Sequence, residues 1–204
     1  MIYYLTMKPK LKQKLLDEIM PKLKKASHDF MNELTYEVAD DFEYTKMCYN
    51  ESLRLEPPVA LTTGGIMTKD VQLGACLMKK GDSFYISNEM IQRDPKHWQD
   101  PEEFIPDRFD PKSKYFKAPG GGPRHPLAFV PFLGGKRICL GKSLAEVMTR
   151  FTVPLLFYHF DFEFSNPEQA VKKVRFALGG SESPVFPFVL VNKNEVKPVQ
   201  PLKV

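Results

Sequence analysis

In LKQKLLDEIMPKLKK the apolar residues Leu11, Leu15, Leu16, Ile19 and Leu23 recur at helical spacing, with Lys, Asp and Glu between them. One apolar stripe on an amphipathic helix follows from that pattern, and the lysines read as its solvated face. Pro9 stands where a first helical turn tolerates proline. Thr35 in LTYEV is a candidate N-cap, and DDFEYTKMCYNESLRLE is predicted to continue as a second helix, stopped by Pro57 and Pro58. From Val59 to Ile91 the pattern changes to short alternating segments, GIMTKDVQL and ACLMKKGDSFYIS, with Lys80-Gly81-Asp82 as a turn. Arg93 to Pro131 has little periodicity, yet its Trp and Phe content is too apolar for a free linker. A long ordered loop of this kind is usually functional. A helix running through Phe151 is expected next, then strands at DFEF and FPFVLV, with VPLLFYHF (Val153 to Phe160) of strand length. The fold class expected is mainly α with a smaller β region (α+β).

Composition changes this picture little. The 204 residues are enough for one domain, or two small ones, with a real core. The net charge of +4 is too mild to suggest a nucleic-acid binder. Cys48, Cys76 and Cys139 stand far apart with no CxxC, which argues against a disulfide framework or a structural zinc site. Their odd number fits an intracellular, reducing compartment. No apolar run approaches the ~20 residues of a membrane span, and MIYYLTMKPK does not have the form of a signal peptide.

The chemistry concentrates in FLGGKRICLGKS, Phe132 to Ser143, between the apolar LAFVP and a helix. A phosphate loop of the form G-x-x-x-x-G-K-[ST] would need glycine at Lys136, and Gly135 lies one residue too early. Successive backbone N–H groups must wrap one phosphate, so the motif fails on register. Asp161 could stand in for a magnesium carboxylate, but His159 interrupts the run before it. A thiolate reading uses the punctuation better. Cys139 precedes a helix, where unpaired N–H groups and the positive end of the dipole favour an anion. Gly135 and Gly141 allow a tight backbone beside a flat, bulky ligand. Arg137 can pair with an anionic group on that ligand, and Phe132 can shield the sulfur. The plainer reading is an ordinary buried cysteine.

Phe132, Gly135, Arg137, Cys139 and Gly141, in the order F-x-x-G-x-R-x-C-x-G, resemble the haem-ligand loop of the cytochrome P-450 family. Two further segments carry the same likeness. Glu51 and Arg54 in YNESLRLEPP resemble the family's E-x-x-R pair, although such a pair on a helix is usually a surface ion pair. PDRF, Pro106 to Phe109, resembles the family's meander, whose Arg completes a triad with that pair. The resemblance implies that Glu51, Arg54 and Arg108 form a buried triad clamping the loop under the haem, and that Cys139 is both metal ligand and catalytic residue. It implies a haem b cofactor (iron protoporphyrin IX) contacted by Phe132, Gly135, Arg137, Cys139 and Gly141. Electrons would come from NAD(P)H through a reductase or other redox partner, and the substrate would be small and apolar.

The resemblance covers one partial domain of that fold. Residues 1–58 would be helices ending in the E-x-x-R helix, 59–92 a sheet region, 93–131 the meander, 132–151 the cysteine loop and following helix, and 152–204 C-terminal strands. MIYYLTMKP looks like the end of the family's long central helix, so the acid–alcohol stretch that delivers protons to bound oxygen would lie upstream of Met1. The endoplasmic-reticulum anchor of eukaryotic relatives would also fall outside this sequence. The chain alone is therefore expected to be a C-terminal fragment, inactive as a monooxygenase. Gly65 stands where many relatives carry an Arg or His that reaches a haem propionate, and Gln92 where His is frequent. Lys136 and Lys142 flank the sulfur, either to dock an acidic partner or as two plain exposed lysines. Val59 to Gly65 and Gly179 to Val185 hint at an apolar ligand. The rival readings are a non-catalytic haem-binding or interaction module and, from another class, a phosphate-loop nucleotide-binding protein.

Overall fold

The computed structural model describes residues 1–24, 35–62, 64–165, 176–177, 180–181 and 188–192. Helices dominate: α1 (Ile2–Met7), α2 (Pro9–Lys24), α3 (Tyr36–Asp40), α4 (Glu43–Leu55), α5 (Asn88–Gln92) and α6 (Lys142–His159). The stripe on α2 packs as its spacing requires, with Leu15, Ile19 and Leu23 in the core and Leu11 and Leu16 partly buried against it. Thr35 caps α3 by accepting from the Val38 N–H.

The second predicted helix is not continuous. It breaks at Asp41 and Phe42, between α3 and α4. The break turns Phe42 into the core, and Glu18 on α2 supplies the missing cap. Its Oε1 accepts from Tyr44 N at 2.6 Å, and its Oε2 accepts from Thr45 N at 3.0 Å and Thr45 Oγ1 at 2.9 Å. A carboxylate at a helix N-terminus satisfies orphan donors and the dipole together. α4 therefore starts at a point fixed from another helix.

The strand region forms two antiparallel ribbons. β1 (Gly65–Ile66) pairs with β4 (Ser83–Phe84), and β2 (Val71–Leu73) pairs with β3 (Cys76–Met78). At the Lys80-Gly81-Asp82 turn, Gly81 takes φ +94, a conformation natural only to glycine.

The helix after the cysteine loop ends at His159, not Phe151. VPLLFYHF had the length of a strand, but Val153 and Phe157 lie one helical turn apart and both are buried in the core. That burial offsets the backbone hydrogen bond lost at Pro154. The chain then enters β5 (Phe160–Phe164), antiparallel to β8 (Phe188–Asn192), with Phe162 opposite Leu190. A smaller ribbon joins β6 (Phe176–Ala177) to β7 (Gly180–Ser181). Gly179 and Val185 lie outside the described residues.

Arg93 to Pro131 is ordered without long elements, through short 3-10 turns at Pro106–Phe109, Lys114–Phe116 and Pro126–Ala128. No described helix is long and apolar enough to cross a membrane.

Candidate haem-thiolate site

α4 presents Glu51 and Arg54 one turn apart, and both side chains are 0% exposed. Arg54 holds Glu51 in a fork, Nε to Oε2 at 2.7 Å and Nη2 to Oε1 at 2.9 Å. The surface ion-pair reading of these two residues is overturned by that burial. Arg108, from the Pro106–Phe109 turn, donates from Nε to Glu51 Oε1 at 3.1 Å and is also 0% exposed. The Ile105 N–H adds a further bond to Oε1 at 2.8 Å. One carboxylate thus serves two guanidiniums.

The other guanidinium protons hold backbone oxygens of the long loop. Arg54 donates to Pro101 O at 2.7 Å and Glu103 O at 3.0 Å. Arg108 donates to Gln99 O and Asp100 O. Buried charges need this many partners to offset lost hydration. Burial pushes the Arg108 pKa down, while the Glu51 charge pulls it back up.

Two neighbours of the cluster were missed from sequence. Two guanidiniums lie over the Trp98 ring, Arg124 with its Cζ 4.2 Å from the centroid and Arg54 with its Cζ 5.1 Å away. Arg124 also donates to Phe116 O at 3.0 Å and to Arg108 O. Burial, with the nearby Arg108 charge, lowers its pKa to about 10, still far above neutrality. The available signal was a cation at PRHP, between the glycine run and LAFVP; nothing local pairs it with Trp98.

The cysteine loop is closed by backbone. Leu133 N donates to Val130 O at 3.0 Å, and Cys139 N donates to Phe132 O at 2.9 Å. Leu133 (φ 63) and Gly135 (φ 67) both adopt left-handed conformations, which turn the chain sharply. Gly141 has an ordinary φ of −79, so its role is not conformational. A side chain there would begin 3.8 Å from Cys139 Sγ.

Cys139 is exposed at the entry to α6, which overturns the reading of it as a buried small hydrophobe. Gly135, Arg137 and Gly141 are exposed too, and Phe132 is half-buried. Beside the thiol in sequence stand exposed apolar residues: Ile138, Leu140 (100% exposed), then Leu144 and Met148 at successive turns of α6. A sulfur donor, apolar surface and a solvent-facing guanidinium suit a bulky apolar ligand with an anionic edge, and haem is such a group. Among the described residues no hydrogen bond or ion pair joins Phe132–Gly141 directly to the triad; Gln92 stands between them, its carbonyl accepting from Arg54 Nη1 and its Oε1 accepting from Val130 N.

Gly65 lies in β1 opposite Phe84, and a Cβ there would meet the Phe84 ring at 2.7 Å. The Arg or His expected from the resemblance has no room while that ring stays in place. Among the described residues no three His, Cys, Asp or Glu side chains gather into a metal cluster.

The family model for cytochrome P450 matches residues 1–183. The chain is 31% identical to mouse cytochrome P450 3A11 over 189 residues, 93% of this chain and 34% of that protein. It is 30% identical over 198 residues to a golden hamster (Mesocricetus auratus) lithocholate 6-beta-hydroxylase, 97% of this chain and 36% of that one. The solved structure of retinoic acid-bound cyanobacterial CYP120A1 superposes with TM-score 0.74 at 26% identity, covering 92% of this chain and 40% of that one. The chain thus spans about a third of the length of these curated relatives. With a family model matched over most of its length, the chain belongs to the cytochrome P450 family.

Proposed function

We propose that this chain supplies the thiolate side of a haem pocket, with Cys139 as the iron ligand of a monooxygenase. The observation that carries the reading is the exposed Cys139 thiol, held by its own N–H to Phe132 O at the entry of α6 and flanked by exposed apolar side chains. Bound there, haem b would supply oxygen activation and the insertion of one oxygen atom of O2 into an organic substrate.

The chain's own residues do the binding and orienting. Gly141, the N-cap of α6, brings no side chain to the helix entry beside Cys139. Phe132 limits water at the sulfur. Arg137 pairs with a propionate carboxylate. Gly135 gives the turn that brings the thiol out, and Gly141 leaves the sulfur unobstructed. The Glu51–Arg54–Arg108 cluster holds the segment that enters the loop. Electrons reach the site from NAD(P)H through a redox partner, for which the exposed Lys136 and Lys142 offer a cationic contact. The substrate is small and apolar. By themselves these 204 residues, about a third of the length of the curated relatives they match, do not turn over substrate.

Haem titration of the purified chain, followed by reduction and carbon monoxide, tests the ligand. A thiolate-type spectrum that disappears in Cys139→Ala is the expected result. A spectrum unchanged in Cys139→Ala, or no haem uptake by the unaltered chain, overturns the assignment. Product formation by the chain with a reductase would refute the inactivity.

A further inference from the structure

Gln92 ends α5 and is fully buried, although it is one of the less easily buried residue types. Every polar atom of its side chain is engaged. Nε2 donates to Leu53 O at 2.9 Å and Arg54 O at 3.2 Å, two carbonyls at the C-terminal end of α4. Oε1 accepts from Val130 N at 3.2 Å. Its backbone carbonyl accepts from Arg54 Nη1 at 2.9 Å. The partners fix the amide orientation: a flipped amide would set N–H against N–H at Val130 and oxygen against both carbonyls.

Val130 stands two residues before the cysteine loop. Its carbonyl accepts from Leu133 N at 3.0 Å, and two residues on, Phe132 O accepts from Cys139 N at 2.9 Å. A continuous set of hydrogen bonds therefore runs from the end of α4, through one side chain, into the strand of backbone that positions the thiol. We infer that Gln92 is a positioning residue for Cys139, the link through which the buried Glu51–Arg54–Arg108 cluster sets the entrance of the cysteine loop. The inference rests on Cys139 being the ligand only for its consequence at the iron; the mechanical link to Val130 stands apart from haem.

The chemistry needs a side chain with two donors, one acceptor and this reach. A neutral His offers one donor and one acceptor, so it can serve Val130 and only one of the two carbonyls. Met has the shape and none of the bonds. Asn has the amide but is a methylene short of spanning from α4 to Val130.

Amide hydrogen exchange on the full chain tests the link without haem, with Gln92→Met and Gln92→Asn compared against the unaltered protein. Exchange at Val130 is expected to rise about tenfold or more in both, as for a buried hydrogen bond worth ~1.4 kcal/mol, while Leu55 in α4 keeps its protection. Gln92→Asn preserves a buried amide and so reports even where Gln92→Met does not fold. Exchange unchanged at Val130, or a uniform rise across the chain, overturns the link. On haem-loaded protein the thiolate-type fraction of the carbon monoxide adduct is expected to fall in both variants and to stand between them and the unaltered chain in Gln92→His. A fraction equal to that of the unaltered chain in Gln92→Met and Gln92→Asn refutes the positioning role. If the unaltered chain forms no thiolate adduct, the ligand assignment fails, and the exchange comparison still decides the link.

Discussion

Arg108 Nε reaches Glu51 Oε1 at 3.1 Å across 57 residues of chain, and neither side chain is exposed. Arg54 takes the remaining face of the same carboxylate. Removing the acid leaves two guanidiniums in the interior with no counter-charge. Glu51→Ala is predicted to lower stability by ~3–5 kcal/mol, measured by denaturant unfolding. Arg108→Ala added to Glu51→Ala should cost much less than the two single changes summed, because its partner is already gone. Additive losses would mean that the contact does not couple the two residues.

Gly135 sits at φ 67, and nothing lies within 4 Å of where its Cβ would be. Substitution there meets a backbone penalty and no steric one. Gly135→Val should cost ~1–2 kcal/mol and Gly135→Asn clearly less, since Asn tolerates left-handed backbone. Equal costs for the two would point to packing instead. Thermal unfolding distinguishes them.

Legibility in the sequence followed the range of the forces involved. The α2 stripe, the Thr35 cap and the Gly81 turn are decided within a few residues, and the local pattern carried them. The break at Asp41-Phe42 is decided by Glu18, which is distant in sequence and presents only a charge to the eye. The extension of α6 to His159 is decided by burial of Val153 and Phe157 against the core, which a short apolar run with an internal proline does not announce. At the site, glycine spacing and one cysteine marked the loop, and E-x-x-R with PDRF marked the cluster. The bonds from Gln92 to Val130 and the Arg124–Trp98 stack were not legible, because each joins residues with no shared periodicity.

Trp98 is the sole tryptophan of the chain, so its emission reports the stack with Arg124 directly. Arg124→Lys keeps a positive charge but loses the planar face and the fork to Phe116 O and Arg108 O. Arg124→Lys is predicted to shift Trp98 fluorescence and to lower stability by ~1 kcal/mol, the net worth of a hydrogen bond at carbonyls that water can still reach. Spectra and unfolding midpoints that match the unaltered protein would show that charge alone suffices there.

Glu103 lends its backbone oxygen to Arg54 and Arg108, yet its side chain turns outward to Lys8, Nζ to Oε2 at 2.7 Å. The hydrogen bond from Lys8, followed by the Lys8 charge, lowers the Glu103 pKa. A carboxyl with a depressed folded-state pKa adds stability above its unfolded value, about 4.3. That contribution disappears as pH falls through the lower folded value. With Lys8 36% and Glu103 61% exposed, solvent screening keeps the contribution below ~1 kcal/mol. Glu103→Gln is therefore predicted to cost less than that at pH 7, to cost progressively less in acid, and to cost less again in ~1 M salt, where surface charges are screened within about 3 Å. The Glu51→Ala deficit should survive the same salt, because water and ions do not reach the buried cluster. Unfolding curves at two salt concentrations thus separate the two carboxylates: one a screened surface tie, the other the centre of a dry ionic cluster.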